Sequence, residues 1–149
     1  MMMEPTPRNQ DDGLKVGPCG NVPAGEANRY EPGETITVSW LETIDHPGWY
    51  RLAWSQPGDQ GFEDNVLLDD IPDVECSATP CAYSAEVTLP DEECEGCVLQ
   101  LIQYMTENPA NPRPYFSCAD INLGVGAPAP QDDPGDQGDD SDSGNEEPA

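Results

Sequence analysis

The sequence predicts an all-β domain, an immunoglobulin- or fibronectin-III-like β-sandwich held by disulfides, followed by a disordered acidic tail. Three observations predict it. Apolar residues alternate with polar ones over short runs instead of recurring at helical spacing. The runs are punctuated by 17 prolines and 14 glycines, residues that stop strands and build turns. Six cysteines lie between positions 19 and 118, and an even number in a small acidic domain reads as a disulfide framework formed in an oxidising compartment.

The elements follow in order. Gly17-Pro18-Cys19-Gly20 is a turn held by a bridge. In Thr35 to Leu41, Ile36, Val38 and Trp40 share one face, which predicts a half-buried strand. Asp45-His46-Pro47-Gly48 is a turn, and Trp49 to Trp54 returns from it as the next strand. Asn65 to Leu68 reads as a short strand or a helical turn ahead of Pro72. Tyr83 to Leu89 alternates again and stops at Pro90-Asp91. Val98 to Met105 is the most apolar run, hence a central strand. Thr106 to Pro114 carries three prolines and reads as a loop, and Tyr115 to Leu123 is the last strand. Short strands without an amphipathic helix argue for a sandwich.

The chain has 149 residues, enough for one domain. Residues 127–149 carry no aromatic and no large aliphatic side chain, so they bury too little to offset the entropy of ordering and are expected to be a disordered Pro/Gly/Asp-rich tail or linker. Residues 1–126 are then the folding unit. The net charge is −25, and the tail holds eight of the acids and no base, which leaves about −17 on the folding unit. Such a surface has nothing with which to release phosphate counterions, so nucleic acid is excluded as a partner and anionic membranes are disfavoured. Neutral polysaccharides, metal cations and basic partners stay open. No stretch approaches transmembrane length. No leader is visible ahead of the domain, so export is either leaderless or directed by residues upstream of Met1.

Six cysteines admit fifteen pairings. The expectation here is Cys19–Cys118, Cys76–Cys81 and Cys94–Cys97; the rival is a zinc site built on Cys94, Cys97 and a second pair. His46 is the only histidine, and alone it supplies one ligand where a metal site needs several. No Ser-His-Asp or Cys-His arrangement, P-loop, Rossmann fingerprint or EF-hand loop is present. Asp69-Asp70 and Glu92-Glu93 read as solvated turns.

Five separated segments add a resemblance. Glu42-Thr-Ile-Asp-His46-Pro-Gly-Trp-Tyr-Arg-Leu resembles the strand-turn-strand that carries the second copper histidine of lytic polysaccharide monooxygenases. Cys94-Glu-Gly-Cys97-Val-Leu-Gln resembles their C-x-x-C-x-L-Q strand, and Tyr115-Phe-Ser-Cys118-Ala-Asp120-Ile their closing strand. Gly17-Pro18-Cys19-Gly20 and the opening Pro5-Thr-Pro-Arg8 sit where those families carry a similar turn and an early P-x-x-R. The likeness is to bacterial polysaccharide monooxygenase-like secreted proteins, sometimes labelled chitin-binding type-4 domains. The resemblance implies a secreted, periplasmic or cell-surface monomer that acts oxidatively on chitin- or cellulose-type polysaccharide with copper in a histidine brace. It implies His46 as the second brace histidine, Tyr115 as the axial aromatic and Gln103 as a polar group beside the metal. The brace needs an amino-terminal histidine; position 1 is methionine, and the family spacing places that histidine two residues ahead of Met1. Trp49, beside the turn of His46, and next Tyr50 are the candidates for a sugar-facing surface, with Trp40 and Trp54 expected inside. The alternative is a non-catalytic polysaccharide- or copper-binding module of the same fold.

Overall fold

Period-two burial organises eight strands into two sheets in the computed structural model, which describes residues 1–8, 15–43, 46–73, 76, 78–106 and 113–125. The strands are β1 (Met2–Glu4), β2 (Asn28–Tyr30), β3 (Thr35–Glu42), β4 (Gly48–Ser55), β5 (Val66–Asp73), β6 (Cys81–Thr88), β7 (Cys94–Met105) and β8 (Arg113–Leu123). A 3-10 turn covers Phe62–Asp64. One sheet runs β1-β3-β6 and the other β2-β8-β7-β4-β5. All pairings are antiparallel except β2 with β8. The expected tail at 127–149, and most of the expected proline loop, lie outside the described residues.

The two sheets close on one core because each strand presents its apolar residues to the same side. Ile36, Val38 and Trp40 of β3 meet Tyr50 and Leu52 of β4, Leu99 and Leu101 of β7, and Ala119, Ile121 and Leu123 of β8. Met2 is fully buried against them, so β1 is pinned by one side chain as well as by its pairing with β3. β5 lies at the sheet edge, where Pro72 leaves no ladder hydrogen bond missing inside the sheet.

A smaller cluster lies on the outer face of the five-stranded sheet: Cys19, Ala53, Phe62, Val98 and Cys118. The disulfide Cys19–Cys118 ties the Gly17–Gly20 turn to it across 99 residues. Cys76–Cys81 and Cys94–Cys97 are the other bridges, so none of the cysteines offers a thiolate to zinc. Beside this cluster Arg8 is buried with Asp120. Its guanidinium donates to both carboxylate oxygens of Asp120 and, in a fork with two bonds of 2.8 Å, to Asp59. It also donates to the Val22 carbonyl at 3.0 Å. The partnered carboxylates hold the guanidinium far above its ordinary pKa, so it stays charged in the interior. The early Pro5-x-x-Arg8 and the closing Ala119-Asp120-Ile121 are thus one interaction seen from two ends of the chain.

Candidate functional site

At one end of the sandwich the chain between β3 and β4 brings His46 over the start of β8. Gly48 makes this turn possible. Its φ is 153°, and a β-carbon there would collide with the carbonyl oxygen of Tyr104 on β7. Only a glycine lets β4 begin against β7 two residues after the histidine. The His46 and Tyr115 rings meet edge to face, with centroids 6.4 Å apart, and the Lys15 ammonium lies 5.7 Å from the Tyr115 ring centroid. Gln103 is the direct cross-strand partner of Tyr115 and shares its face of the sheet. The structure therefore brings three of the sequence-predicted residues, His46, Tyr115 and Gln103, to one end of the fold.

Trp49 and Tyr50 do not share a surface with each other. Neighbouring residues on a strand point to opposite faces. Tyr50 is 1% exposed and packs against Trp40 and Tyr83 in the core, so the expectation of a surface role for it is corrected. Trp49 is half-buried on the outer face of the five-stranded sheet, stacked on Tyr104 at 4.9 Å. That is the face opposite the one carrying Tyr115 and Gln103. Trp40 is buried, and Trp54 packs partly buried against the core.

Beneath His46 lies a group of polar side chains that strand alternation places inside the sandwich. Glu42 continues the inward series of Ile36, Val38 and Trp40, and it is 2% exposed. It accepts the backbone N–H of His46 at 3.0 Å and the Gln103 amide at 3.1 Å. The Tyr83 hydroxyl lies 3.0 Å from a Glu42 oxygen and 3.0 Å from an Asp73 oxygen. Gln103 also reaches Asp73 at 3.4 Å. Burial, reinforced by the neighbouring Glu42, pushes the Asp73 carboxyl up to about 7. The two acids and Tyr83 thus form one hydrogen-bonded group between β3, β5 and β6 and fix the Gln103 amide. The sequence signal for Glu42 was the period-two pattern extended by one step. Asp73 had none, because its partners come from other strands.

As a metal site these residues are incomplete. His46 offers one imidazole and Tyr115 an aromatic beside it. The sequence has no second histidine, and the amino-terminal amine donates to the Leu41 carbonyl at 3.0 Å. Among the described residues no three His, Cys, Asp or Glu side chains converge as metal ligands. The groups present are one imidazole beside an aromatic ring, and no chemical step follows from them alone.

Comparison with known proteins gives the fold a context. No curated protein matches the sequence. An AA10 lytic polysaccharide monooxygenase from Streptomyces lividans is similar with a TM-score of 0.50 and 18% identity, over 69% of this chain and 62% of that one. An AA15 lytic polysaccharide monooxygenase from Thermobia domestica, solved in the Cu(I) state, gives a TM-score of 0.49 and 19% identity, over 73% of this chain and 76% of that one. The chain spans less than two thirds of the Streptomyces protein, and at such identity the likeness speaks for the fold alone. The sequence model described as "Lytic polysaccharide mono-oxygenase, cellulose-degrading" reaches further: it matches residues 5–121, from the proline ahead of Arg8 past Asp120, and so takes in His46, Gln103 and Tyr115. The chain belongs to the lytic polysaccharide mono-oxygenase family.

Proposed function

We propose that this is a secreted protein directed at chitin- or cellulose-type polysaccharide, and that His46 and Tyr115 form half of a copper site completed by a histidine two residues ahead of Met1. The observation that carries the reading is the meeting of His46 with Tyr115, 69 positions later in the chain, on a turn that only Gly48 permits. The path of β1 supports it. β1 runs antiparallel to β3, with Met2 opposite Trp40 and the Leu41 N–H bonded to the Met1 carbonyl. Residues placed ahead of Met1 therefore continue alongside Glu42 toward His46. In this reading His46 and Tyr115 hold one side of the ion, and Gln103, fixed by Glu42 and Asp73, stands as a polar group beside it. Copper, when bound, would supply the activation of oxygen or peroxide for attack on a glycosidic C–H bond.

The test is copper affinity by calorimetry on two versions of the protein: the chain as it stands, and a chain that begins with a free amino-terminal histidine two residues ahead of Met1. Tight one-to-one binding by the second version only, lost in His46→Ala, is the expected result. Equally weak binding by both refutes the copper reading and leaves a binding module of the same fold.

A further inference from the structure

The polar group beneath His46 draws its members from four strands: Glu42 from β3, Asp73 from β5, Tyr83 from β6 and Gln103 from β7. β5 and β6 follow each other in the chain but belong to different sheets. The connection between them therefore passes from one sheet to the other, with Asp73 and Tyr83 at its two ends. The Cys76–Cys81 disulfide closes this connection. Cys76 comes three residues after Asp73, and Cys81 two residues before Tyr83. Cys81 is also the cross-strand partner of Glu42. Directly opposed residues of an antiparallel pair share a face, so Cys81 stands beside Glu42 on the side from which Trp40 and Tyr83 also project. One covalent bridge thus borders Asp73, Tyr83 and Glu42 together.

Two properties set this bridge apart from the other two. The first is access. Cys76 and Cys81 are half-buried, and Ala78, Thr79 and Pro80, which lie between them in sequence, are exposed. Cys19, Cys94, Cys97 and Cys118 are buried. Exchange begins with attack of a thiolate on a disulfide sulfur, so burial protects a bridge from it. The second is span. A cross-link restricts the unfolded chain less when its loop is short, and this one spans 5 positions against 99 for Cys19–Cys118. Opening it therefore costs the fold less. Cys94–Cys97 spans 3 positions but belongs to the buried core. Short span and solvent access coincide at Cys76–Cys81.

We propose that the Cys76–Cys81 disulfide is a thiol-sensitive clamp that keeps Asp73 and Tyr83 on Glu42 and Gln103 and, through Glu42, holds the His46 backbone. A monothiol opens it in two steps. The first thiolate attacks one cysteine sulfur, forms a mixed disulfide with it and releases the other cysteine as a thiolate, which takes up a proton. A second thiol then displaces the remaining cysteine, leaving two thiols in the protein and one disulfide of the reductant. With the bridge open, Asp73 and Tyr83 are positioned by separate sheets with no covalent tie across the short connection between them. Glu42 then relaxes its hold on the Gln103 amide and the His46 N–H. The clamp acts at the same end of the fold as the proposed copper site, but it needs no metal, so either can fail without the other.

Native-state reduction of the full chain with glutathione tests this, with aliquots alkylated by iodoacetamide for mass mapping and NMR spectra recorded in parallel. Cys76 and Cys81 should be labelled about tenfold faster than the other four cysteines. The reduced protein should keep the resonances of core residues such as Leu99 and Ile121. The His46 backbone amide and the Gln103 side-chain amide should shift and exchange with solvent about tenfold faster. Glutathione disulfide should restore both. The double variant Cys76→Ser with Cys81→Ser should show the same shifts without reductant and no response to it; should that variant not fold, reduction of the unaltered chain decides the matter. Labelling of the buried cysteines as fast as Cys76 and Cys81, no labelling of Cys76 and Cys81, loss of the core resonances on reduction, or an opened bridge with the His46 and Gln103 amides unchanged would each overturn the proposal.

Discussion

Replacing Arg8 by methionine should destabilise the fold by about 3–5 kcal/mol, the range for removing one partner of a buried ion pair. The magnitude follows from what is left behind. The side chains of Arg8 and Asp120 are 3% and 4% exposed, while Asp59 is 28% exposed. Without the guanidinium, Asp120 keeps the Gly25 N–H at 2.8 Å but loses the bonds from Nε and Nη2 and the one cation bonded to it among the described residues. Asp59 can turn to water, so Asp59→Ala should cost only about 1 kcal/mol. Arg8→Lys keeps the charge but loses the fork, and should cost at least about 1 kcal/mol. The decisive comparison is the double variant Arg8→Met with Asp120→Leu. Removing both charges removes the uncompensated carboxylate, so the double variant should be more stable than Arg8→Met alone. Urea unfolding with the disulfides intact measures all four, read from the midpoint at constant slope. A cost below about 1 kcal/mol for Arg8→Met, or a double variant no better than the single, would refute the argument.

Three further outcomes follow from the same structure. Asp73 binds its proton more tightly folded, at about 7, than unfolded, at 3.8, so its contribution to stability is full below about pH 4 and is lost as pH rises through 7; Asp73→Asn should flatten that decline and gain about 1–2 kcal/mol at pH 8 after allowance for partial exposure, measured by urea unfolding at pH 5 and 8. Gly48→Ala drives a β-carbon into the Tyr104 carbonyl and should cost at least about 2 kcal/mol and shift the His46 resonances, as read by thermal unfolding and NMR. Replacing Cys19 and Cys118 together by alanine releases a span of 99 residues and should cost about 2–5 kcal/mol, seen as a lower unfolding midpoint.

Several parts of this molecule were legible from local pattern. Alternation marked β3 and β6, and for β3 it told which residues face inward, because a strand's side chains change side at every step; β4, β7 and β8 were legible from turns, an apolar run and prolines. It failed for β1 and β2, three-residue strands that exist only through their partners. It undercounted β5, since Pro72 reads as a stop and is tolerated at a sheet edge. Tyr50 lies next to the turn of His46 in sequence but inside the sandwich in space, because the alternation that buries Leu52 also buries Tyr50.

By itself the sequence determined the class of fold, the inward face of β3, and the motifs that lead to the family. These depend on period, composition and short spacing, which are properties of neighbouring residues. Tertiary structure alone decided the meeting of His46 with Tyr115, the joining of Glu42 and Asp73 through Tyr83 and Gln103, and the contact of Arg8 with two distant acids. Each is a matter of register and sheet order, set by pairings between residues tens of positions apart, and no local pattern encodes which partner a strand will find.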